Sequence, residues 1–165
     1  MIGSGRLGFS RSVDDAYVHI HEIEPGLYLG DMIAGRNEQL LREKDIKYVL
    51  GILDDFFCMP KYDGITYFRI EMADSFQSNI ENHLPAVLRF IDQARKEGFN
   101  VLVHCAAGIS RSASFVIAYI MVKNNMRYED ARDFVRSKRG CIMPNLEFRR
   151  QLVNLKVQEY RKFLN

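Results

Sequence analysis

Four stretches of the chain are apolar runs with the length of strands. They lie at 23–30, 47–53, 65–72 and 101–103. The run at 47–53 is nearly continuous, which is typical of a strand that is buried on both faces of a sheet. The run at 23–30 contains a turn at Pro25-Gly26, and we expect it to begin the folded body.

Helical spacing of apolar residues marks the longer segments. We predict helices at 37–43, from Ser78 to just before Gly98, at 110–124, at 128–138 and at 145–162. The segment 110–124 is apolar almost all round, which is typical of a central, buried helix. Ser78 and Glu81 have the spacing of a capping box. Pro85 conflicts with a helix that begins there, so this helix is either kinked at Pro85 or begins later.

Strands that alternate with helices predict an α/β fold, in which a central, mostly parallel twisted sheet is flanked by helices. The 165 residues fit one domain of ordinary size. No repeat, low-complexity tract or linker interrupts the body, so we expect a single domain at 21–165. Residues 1–20 are predicted to form a flexible N-terminal tail.

The charge balance limits the partners of the chain. Basic and acidic residues are mixed along it, and the formal net charge is only +2. Binding to nucleic acid through phosphate contacts needs a strong basic excess, so we expect no nucleic-acid partner. No apolar run is long enough to span a bilayer, and we find no signal peptide or lipidation motif, so we expect no membrane anchor.

The three cysteines, Cys58, Cys105 and Cys141, are too few and too scattered for a disulfide framework. Their spacing does not match a zinc site either. They indicate a reducing compartment, and we expect a cytoplasmic location, with the nucleus as a second location besides it. The sequence leaves the oligomeric state open.

The strongest chemical signal is the segment 103–112. A buried strand ends at Cys105, a short loop follows, and a buried helix begins near Ser110. Backbone N–H groups of such a loop converge on one point, and the helix dipole favours negative charge there. Gly108 lets the loop curl through backbone conformations that a side chain would forbid. The residues expected to cradle an anion are Ala106, Ala107, Gly108, Ile109, Ser110 and Arg111.

The same cradle would activate Cys105. The helix N-terminus and the Arg111 guanidinium favour the thiolate form of a thiol that faces them, and the planar fork of Arg111 can hold two phosphate oxygens. The Ser112 hydroxyl can donate to the sulfur, and His104 is expected to shape the loop. The alternative is that Cys105 is an inert buried cysteine. The combination of His, Cys, Gly, Arg and Ser between a strand and a helix argues against that alternative.

Phosphoryl transfer also needs an acid for the leaving oxygen. Sites in open α/β sheets lie at the carboxyl ends of strands, and carboxylates follow two of the predicted strands. Asp74 follows the run at 65–72, and Asp54 and Asp55 follow the run at 47–53. Position alone leaves all three residues open as the acid.

The segment resembles the signature of the dual-specificity branch of the protein tyrosine phosphatases. That signature, His-Cys-x5-Arg-Ser, stands here as His104-Cys105 and Arg111-Ser112. The stretches Ile-Glu-Pro-Gly-Leu-Tyr-Leu-Gly at 23–30 and Pro-Asn-Leu-Glu-Phe at 144–148 are further family marks. The resemblance runs over about 21–160, and the chain looks like a small, atypical member.

The resemblance implies a fold like that of the protein tyrosine phosphatases and hydrolysis of phosphotyrosine and phosphoserine or phosphothreonine in proteins. Cys105 would form a phosphocysteine intermediate. The family carries its acid on a loop upstream of the cysteine, and the place of Asp74 matches this, which favours it over Asp54 and Asp55.

Further roles follow from the same resemblance. Ser112 would support the departing thiolate, and His104 and Asn145 would be supporting residues. No metal or other cofactor is needed, because the loop and Arg111 neutralise the phosphate.

Three rival functions share this scaffold. A phosphoinositide phosphatase usually has lysines in the loop, and here the loop has Ala106, Ala107, Ile109 and Ser110. A pseudophosphatase would lack the nucleophile. An RNA 5′-phosphatase is disfavoured by the low net charge. We expect phosphoprotein substrates. Four arginines either line the rim of the site or are ordinary solvated charges: Arg36, Arg139, Arg149 and Arg150.

Overall fold

The computed structural model describes residues 18–164, and the predicted tail at 1–20 lies outside the described residues except for 18–20. Ile20 already belongs to the first strand. The five strands of the described chain are β1 (Ile20–Glu24), β2 (Leu27–Gly30), β3 (Ile46–Leu53), β4 (Thr66–Glu71) and β5 (Asn100–His104). Its α-helices are α1 (Met32–Arg36), α2 (Glu38–Glu43), α3 (Leu84–Lys96), α4 (Arg111–Asn124), α5 (Tyr128–Lys138), α6 (Leu146–Val153) and α7 (Val157–Tyr160), and a 3-10 helix follows at Arg161–Leu164.

The strands form one sheet in the order β1-β2-β5-β3-β4. The β2–β5, β5–β3 and β3–β4 pairs are parallel, and only β1 runs antiparallel to its neighbour. This confirms the predicted α/β fold with a mostly parallel sheet. Because β5 lies in the middle, the residues that follow it emerge at the centre of the carboxyl edge of the sheet.

Side chains of the sheet alternate between two apolar clusters. Val101 and Val103 face the larger cluster, which contains helices α3 to α6. Leu102 faces the smaller cluster, which contains residues of α1 and α2. This period of two is what a strand covered on both faces produces.

Helix α4 is the buried helix that the sequence predicts. Every residue from Arg111 to Val122 is buried, so the helix that carries the arginine and serine of the loop signature is fixed by packing along its length. None of the helices within 18–164 is long and apolar enough to cross a membrane.

The start of α3 corrects one prediction. The helix begins at Leu84, with Pro85 in its first turn and His83 as N-cap, so the capping box at Ser78 and Glu81 does not form and no kink is needed. Proline is tolerated there because the first N–H groups of a helix have no intrahelical partner. The Ser78 hydroxyl instead donates to the carbonyl oxygen of Ala73 at 2.7 Å.

Two further predictions are incomplete. The single helix expected at 145–162 is broken, because α6 ends at Val153 and the chain turns to bury Leu155 before α7 begins. Helix α1 was not predicted at all. Asp31 caps it by accepting a hydrogen bond from the N–H of Ala34 at 3.0 Å, and five residues are too few to show a helical period.

Candidate active site

The predicted strand, loop and helix of the signature are all present. Strand β5 ends at His104, residues 105–110 form a loop, and α4 begins at Arg111. The loop lies beyond the carboxyl ends of β2 and β3, the two neighbours of β5. Its outer side is attached to α1, where the N–H of Met32 donates to the carbonyl oxygen of Ala106 at 3.2 Å.

The sulfur of Cys105 lies at the base of this loop and is almost fully buried. The N–H of Gly108 donates to Sγ at 3.2 Å, and the Ser112 hydroxyl lies 3.1 Å from it. Donors at this distance stabilise negative charge on sulfur, as does the N-terminus of α4. The sulfur therefore lies at the centre of the loop with two hydrogen-bond donors facing it.

At Gly108, both the backbone conformation and the neighbouring atoms exclude a side chain. Its φ is +66°, a conformation that glycine adopts at no steric cost. A Cβ atom there would also lie 2.6 Å from the carbonyl oxygen of Gly30 and 2.7 Å from Nη2 of Arg139. The curl expected from the sequence is present, and it brings the loop backbone against β2.

The guanidinium of Arg111 is held by groups that follow two strands. Its Nη1 donates to Oδ2 of Asp54 at 2.9 Å and to the carbonyl oxygen of Met72 at 3.0 Å. Both of these bonds use Nη1, so Nε and Nη2 are the donors that can turn to a phosphate. Asp54, one of the three candidate acids, is thus the ion-pair partner of Arg111, and Asp55 is exposed.

Asp74 lies at the mouth of the loop. Its Oδ1 accepts from the Ser110 hydroxyl at 2.7 Å and from Nδ2 of Asn145 at 2.8 Å. The Ser110 hydroxyl also accepts from the N–H of Asn145 at 2.9 Å. These three residues form a closed set of hydrogen bonds. The set fastens the exposed Asp74 segment to the loop at 105–110, which we call the phosphate loop.

Asn145 serves two purposes. Its Oδ1 accepts from the N–H of Phe148 at 2.9 Å and so caps α6, while its amide nitrogen holds Asp74. The contact with Asp74 links α6 to the site.

The His104 side chain is buried, and it packs closely against Gly35 of α1 and Gly51 of β3. A Cβ atom at Gly35 would lie 2.5 Å from its Nε2, and one at Gly51 would lie 3.2 Å from it. Burial lowers the pKa of His104 to about 4, so the ring is neutral. Its Nδ1 lies 3.3 Å from the carbonyl oxygen of Cys105, and Nε2 is buried without a hydrogen-bond partner among the described residues.

Arg139 corrects the prediction that it could line the rim. It is buried behind the loop, where Nε donates to the carbonyl oxygen of Gly108 at 2.9 Å and Nη2 to that of Ala107 at 3.4 Å. Its Nη1 donates to the carbonyl oxygen of Val18 and contacts Nδ1 of His21, both at 2.9 Å. No motif in the sequence separates this arginine from its exposed neighbours.

The other predicted rim arginines differ in availability. Arg36 donates to the carbonyl oxygen of Cys58 at 2.8 Å, and Arg150 is paired with Glu147. Arg149 is exposed on α6. Of these four arginines in the described part of the chain, Arg149 is therefore the one without burial or a contact of this kind.

The remaining titratable groups show no second centre in the described part of the chain. Within 18–164, no three His, Cys, Asp or Glu side chains cluster at metal-binding distance. Cys58 and Cys141 are free and exposed, whereas Cys105 is buried.

The family model for the dual specificity phosphatase catalytic domain matches residues 27–158. The chain belongs to this family. Human dual specificity protein phosphatase 22 is 37% identical over 148 residues, which cover 88% of this chain and 79% of that protein. Human dual specificity protein phosphatase 6 is 39% identical over 134 residues, or 81% of this chain and 35% of that protein.

Two solved structures share the fold. The crystal structure of DUSP15 superposes with a TM-score of 0.83 at 33% identity, covering 88% of this chain and 94% of that one. The human tyrosine phosphatase-like serine/threonine/tyrosine-interacting protein gives a TM-score of 0.78 at 37% identity, covering 87% and 96%. The predicted family and its fold are confirmed.

Membership of this family establishes the activity at the level of the family. The protein is a cysteine-dependent dual-specificity phosphatase, which hydrolyses phosphotyrosine and phosphoserine or phosphothreonine through a phosphocysteine intermediate. Its substrates are phosphoproteins.

Proposed function

We propose that Cys105 is the nucleophile of this phosphatase and that Asp74 is its general acid. The observation that carries the proposal is the position of Sγ at the base of the loop, where the N–H of Gly108 and the Ser112 hydroxyl both lie within hydrogen-bond distance. A nucleophile that is already solvated by the protein at the centre of an anion cradle needs little reorganisation to attack a bound phosphate.

The first chemical step would transfer the phosphoryl group to sulfur. The Cys105 thiolate forms a bond to phosphorus while the bond from phosphorus to the substrate oxygen breaks, and Asp74 gives its proton to that oxygen. In the second step a water attacks phosphorus, Asp74 takes a proton from that water, and the phosphorus–sulfur bond breaks. The Ser112 hydroxyl stabilises the thiolate that leaves. Each step balances without a metal or other cofactor.

Phosphate binding in this proposal falls to the loop and to Arg111. The backbone N–H groups of residues 106–111 supply most of the donors, and Nε and Nη2 of Arg111 supply a planar pair. Asp54 and the carbonyl oxygen of Met72 hold the other end of that guanidinium. They would fix its orientation before substrate arrives.

The choice of Asp74 as acid rests on the partners of the three candidates. Asp54 is bound to Arg111, where it serves as a counter-ion, and Asp55 is exposed on the loop after β3. Asp74 is fastened to the phosphate loop through its Oδ1, so its second oxygen can face the leaving group. His104 and Asn145 would act as supporting residues.

The substrates we propose are phosphotyrosine and phosphothreonine residues, with little action on phosphoinositides. A multiply phosphorylated inositol ring needs cations beside the cradle to replace its lost water. The loop side chains of Ala106, Ala107 and Ile109 carry no positive charge. Among the four predicted rim arginines, Arg149 is the one that is neither buried nor, within 18–164, engaged with a carbonyl oxygen or a carboxylate. A nucleic-acid substrate is disfavoured by the same shortage of cations and by the net charge of +2.

The three free cysteines support a reducing compartment, and we propose the cytoplasm, with the nucleus as a second location besides it.

Matched kinetics test the substrate proposal. We expect kcat/KM for phosphotyrosine and phosphothreonine peptides of one sequence to exceed the value for soluble phosphoinositides. A phosphoinositide preference of about tenfold, or about 1.4 kcal/mol of transition-state binding, would contradict it.

A further inference from the structure

Exposed apolar side chains are concentrated around the phosphate loop. Nine large apolar side chains of the described chain are well exposed, and six of these lie on segments that build the site. The six are Ile33, Phe56, Phe76, Ile109, Met143 and Leu146. We call this set the apolar rim. Single exposed apolar residues are ordinary on a protein surface. A concentration of them beside a site is typical of a surface that binds a ligand, a protein or a membrane.

Three members of the apolar rim lie close in sequence to the hydrogen-bonded residues Asp74 and Asn145 at the mouth of the loop. Phe76 follows Asp74 by two residues, and Leu146 follows Asn145 directly. Asn145 and Asp74 are joined by the 2.8 Å bond described above. Met143 lies beside the loop itself, because its N–H donates to the carbonyl oxygen of Ile109 at 2.7 Å.

The other members flank the loop on its remaining sides. Ile109 is a loop residue, and Ile33 follows Met32, whose N–H donates to the carbonyl oxygen of Ala106. Phe56 follows Asp54, the partner of Arg111, by two residues. The apolar rim therefore arises from segments on several sides of the cradle, and each of these segments is tied to it by a backbone or side-chain contact.

The arginines near the apolar rim offer little charge for recognising a substrate. Arg36 and Arg150 are engaged with a carbonyl oxygen and with Glu147, and Arg139 is buried behind the loop. Arg149, exposed on α6, is the remaining one of the four predicted rim arginines. An acidic peptide would lose water here without gaining matched cations. Apolar side chains on either side of a bound phosphoresidue would instead lose water together with the rim, which is favourable.

We propose that the enzyme selects phosphopeptides that carry large apolar side chains within about three residues of the phosphorylated residue on both sides, a reach of about 10 Å in an extended chain. The occupant is the substrate peptide, since the apolar rim is continuous with the cradle that binds its phosphate. This inference rests on the proposed function and defines its substrate class.

A series of phosphotyrosine peptides tests this directly. One peptide carries leucine or phenylalanine at the flanking positions, one carries serine and one carries glutamate. We expect kcat/KM for the apolar peptide to exceed that for the serine peptide by at least about tenfold and that for the glutamate peptide by more. Equal values, or a preference for the glutamate peptide, overturn the inference while leaving the phosphatase assignment intact. No turnover of any phosphopeptide overturns the proposed function itself.

Two variants on the same helix locate the effect. Leu146→Ser removes an apolar rim residue at the start of α6. Val153→Ser removes an exposed apolar residue at the end of the same helix, outside the apolar rim. We expect Leu146→Ser to lower the preference for the apolar peptide several-fold and Val153→Ser to leave it unchanged. Equal preferences in both variants contradict the assignment of Leu146. If lipid vesicles raise turnover of a vesicle-borne phosphoinositide above that of the best peptide, the rim serves a membrane and the inference is wrong.

Discussion

Arg139 donates a hydrogen bond from Nε to the carbonyl oxygen of Gly108, 2.9 Å away, from behind the phosphate loop. Its Nη2 lies 3.4 Å from the carbonyl oxygen of Ala107 in the same way. In a trans peptide the N–H points opposite to the C=O. Holding these two carbonyl groups behind the loop therefore directs the N–H groups of Gly108 and Ile109 forward, and the N–H of Gly108 does reach Sγ of Cys105.

We expect Arg139 to be a positioning residue. Arg139→Lys keeps the charge, but its single ammonium group cannot bind the carbonyl oxygens of Gly108, Ala107 and Val18 together. The N–H groups of the loop then lose their fixed direction. The loss of such buried hydrogen bonds costs about 1–3 kcal/mol, which predicts a fall in kcat/KM of about 5- to 160-fold. Vanadate affinity, measured by calorimetry on folded protein, should fall in parallel, because vanadate occupies the same cradle.

Arg149→Lys is the matched control, since Arg149 is exposed on α6. It should keep kcat/KM within about twofold. An Arg139→Lys enzyme with normal kcat/KM and normal vanadate affinity would show that Arg139 is only structural.

The acid can be identified by its dependence on the leaving group. Asp74→Ala should lower kcat by about 10²–10⁴ for alkyl phosphates, the usual contribution of a general acid, and by much less for aryl phosphates with good leaving groups. Asp54→Ala should instead lower kcat/KM for both kinds of substrate alike, because it frees Arg111. Asp55→Ala is the control and should change neither. A leaving-group dependence in Asp54→Ala but not in Asp74→Ala would reverse the assignment.

Burial of His104 gives folding a defined pH dependence. Its pKa is lowered from 6.5 to about 4 by desolvation, so the unfolded chain binds a proton that the folded protein excludes as the pH falls below 6.5. The contribution of His104 to the free energy of unfolding is complete above pH 6.5, and it is lost as the pH falls from 6.5 toward 4. Between pH 7 and pH 5 this group should account for a loss of about 2 kcal/mol in the free energy of unfolding.

His104→Asn removes this titration, and urea unfolding at the two pH values measures the difference. The wild-type protein should lose about 2 kcal/mol more than the variant on going from pH 7 to pH 5. Equal losses would mean that His104 is protonated in the folded protein.

The centre of the site was predictable because its signals are local in sequence. A buried strand that runs into His104-Cys105, a glycine in the loop and a buried helix after it fix the cradle without reference to the rest of the chain. The α/β fold and the parallel sheet followed from the alternation of strands with helices. The proposal of Asp74 as the acid drew on the family resemblance, since position alone left Asp54, Asp55 and Asp74 open.

The supporting contacts could not be predicted, because they join distant segments through backbone atoms. Arg139 binds the carbonyl groups of Val18, Ala107 and Gly108, and carbonyl groups carry no sequence identity. The clearance that Gly35 and Gly51 leave for His104 depends in the same way on how α1 and β3 pack. The start of α3 was uncertain for a local reason, because Pro85 fits a first turn as well as it disrupts an interior one.

Metal independence is a further expectation of this mechanism. Activity should survive EDTA, because the loop N–H groups and Arg111 neutralise the phosphate, and vanadate should inhibit by imitating five-coordinate phosphorus. Activity that is lost on chelation and restored by a divalent cation would require a different mechanism.

The central claim, that Cys105 is the nucleophile, is tested most directly by the turnover of Cys105→Ser on a phosphopeptide, with binding of the same peptide followed by calorimetry. Most donors of the cradle are backbone N–H groups, so we expect the variant to keep the phosphopeptide affinity within a few-fold. Its turnover should fall by at least about 10⁴, as removal of a nucleophile does. Turnover near the wild-type rate would contradict the account.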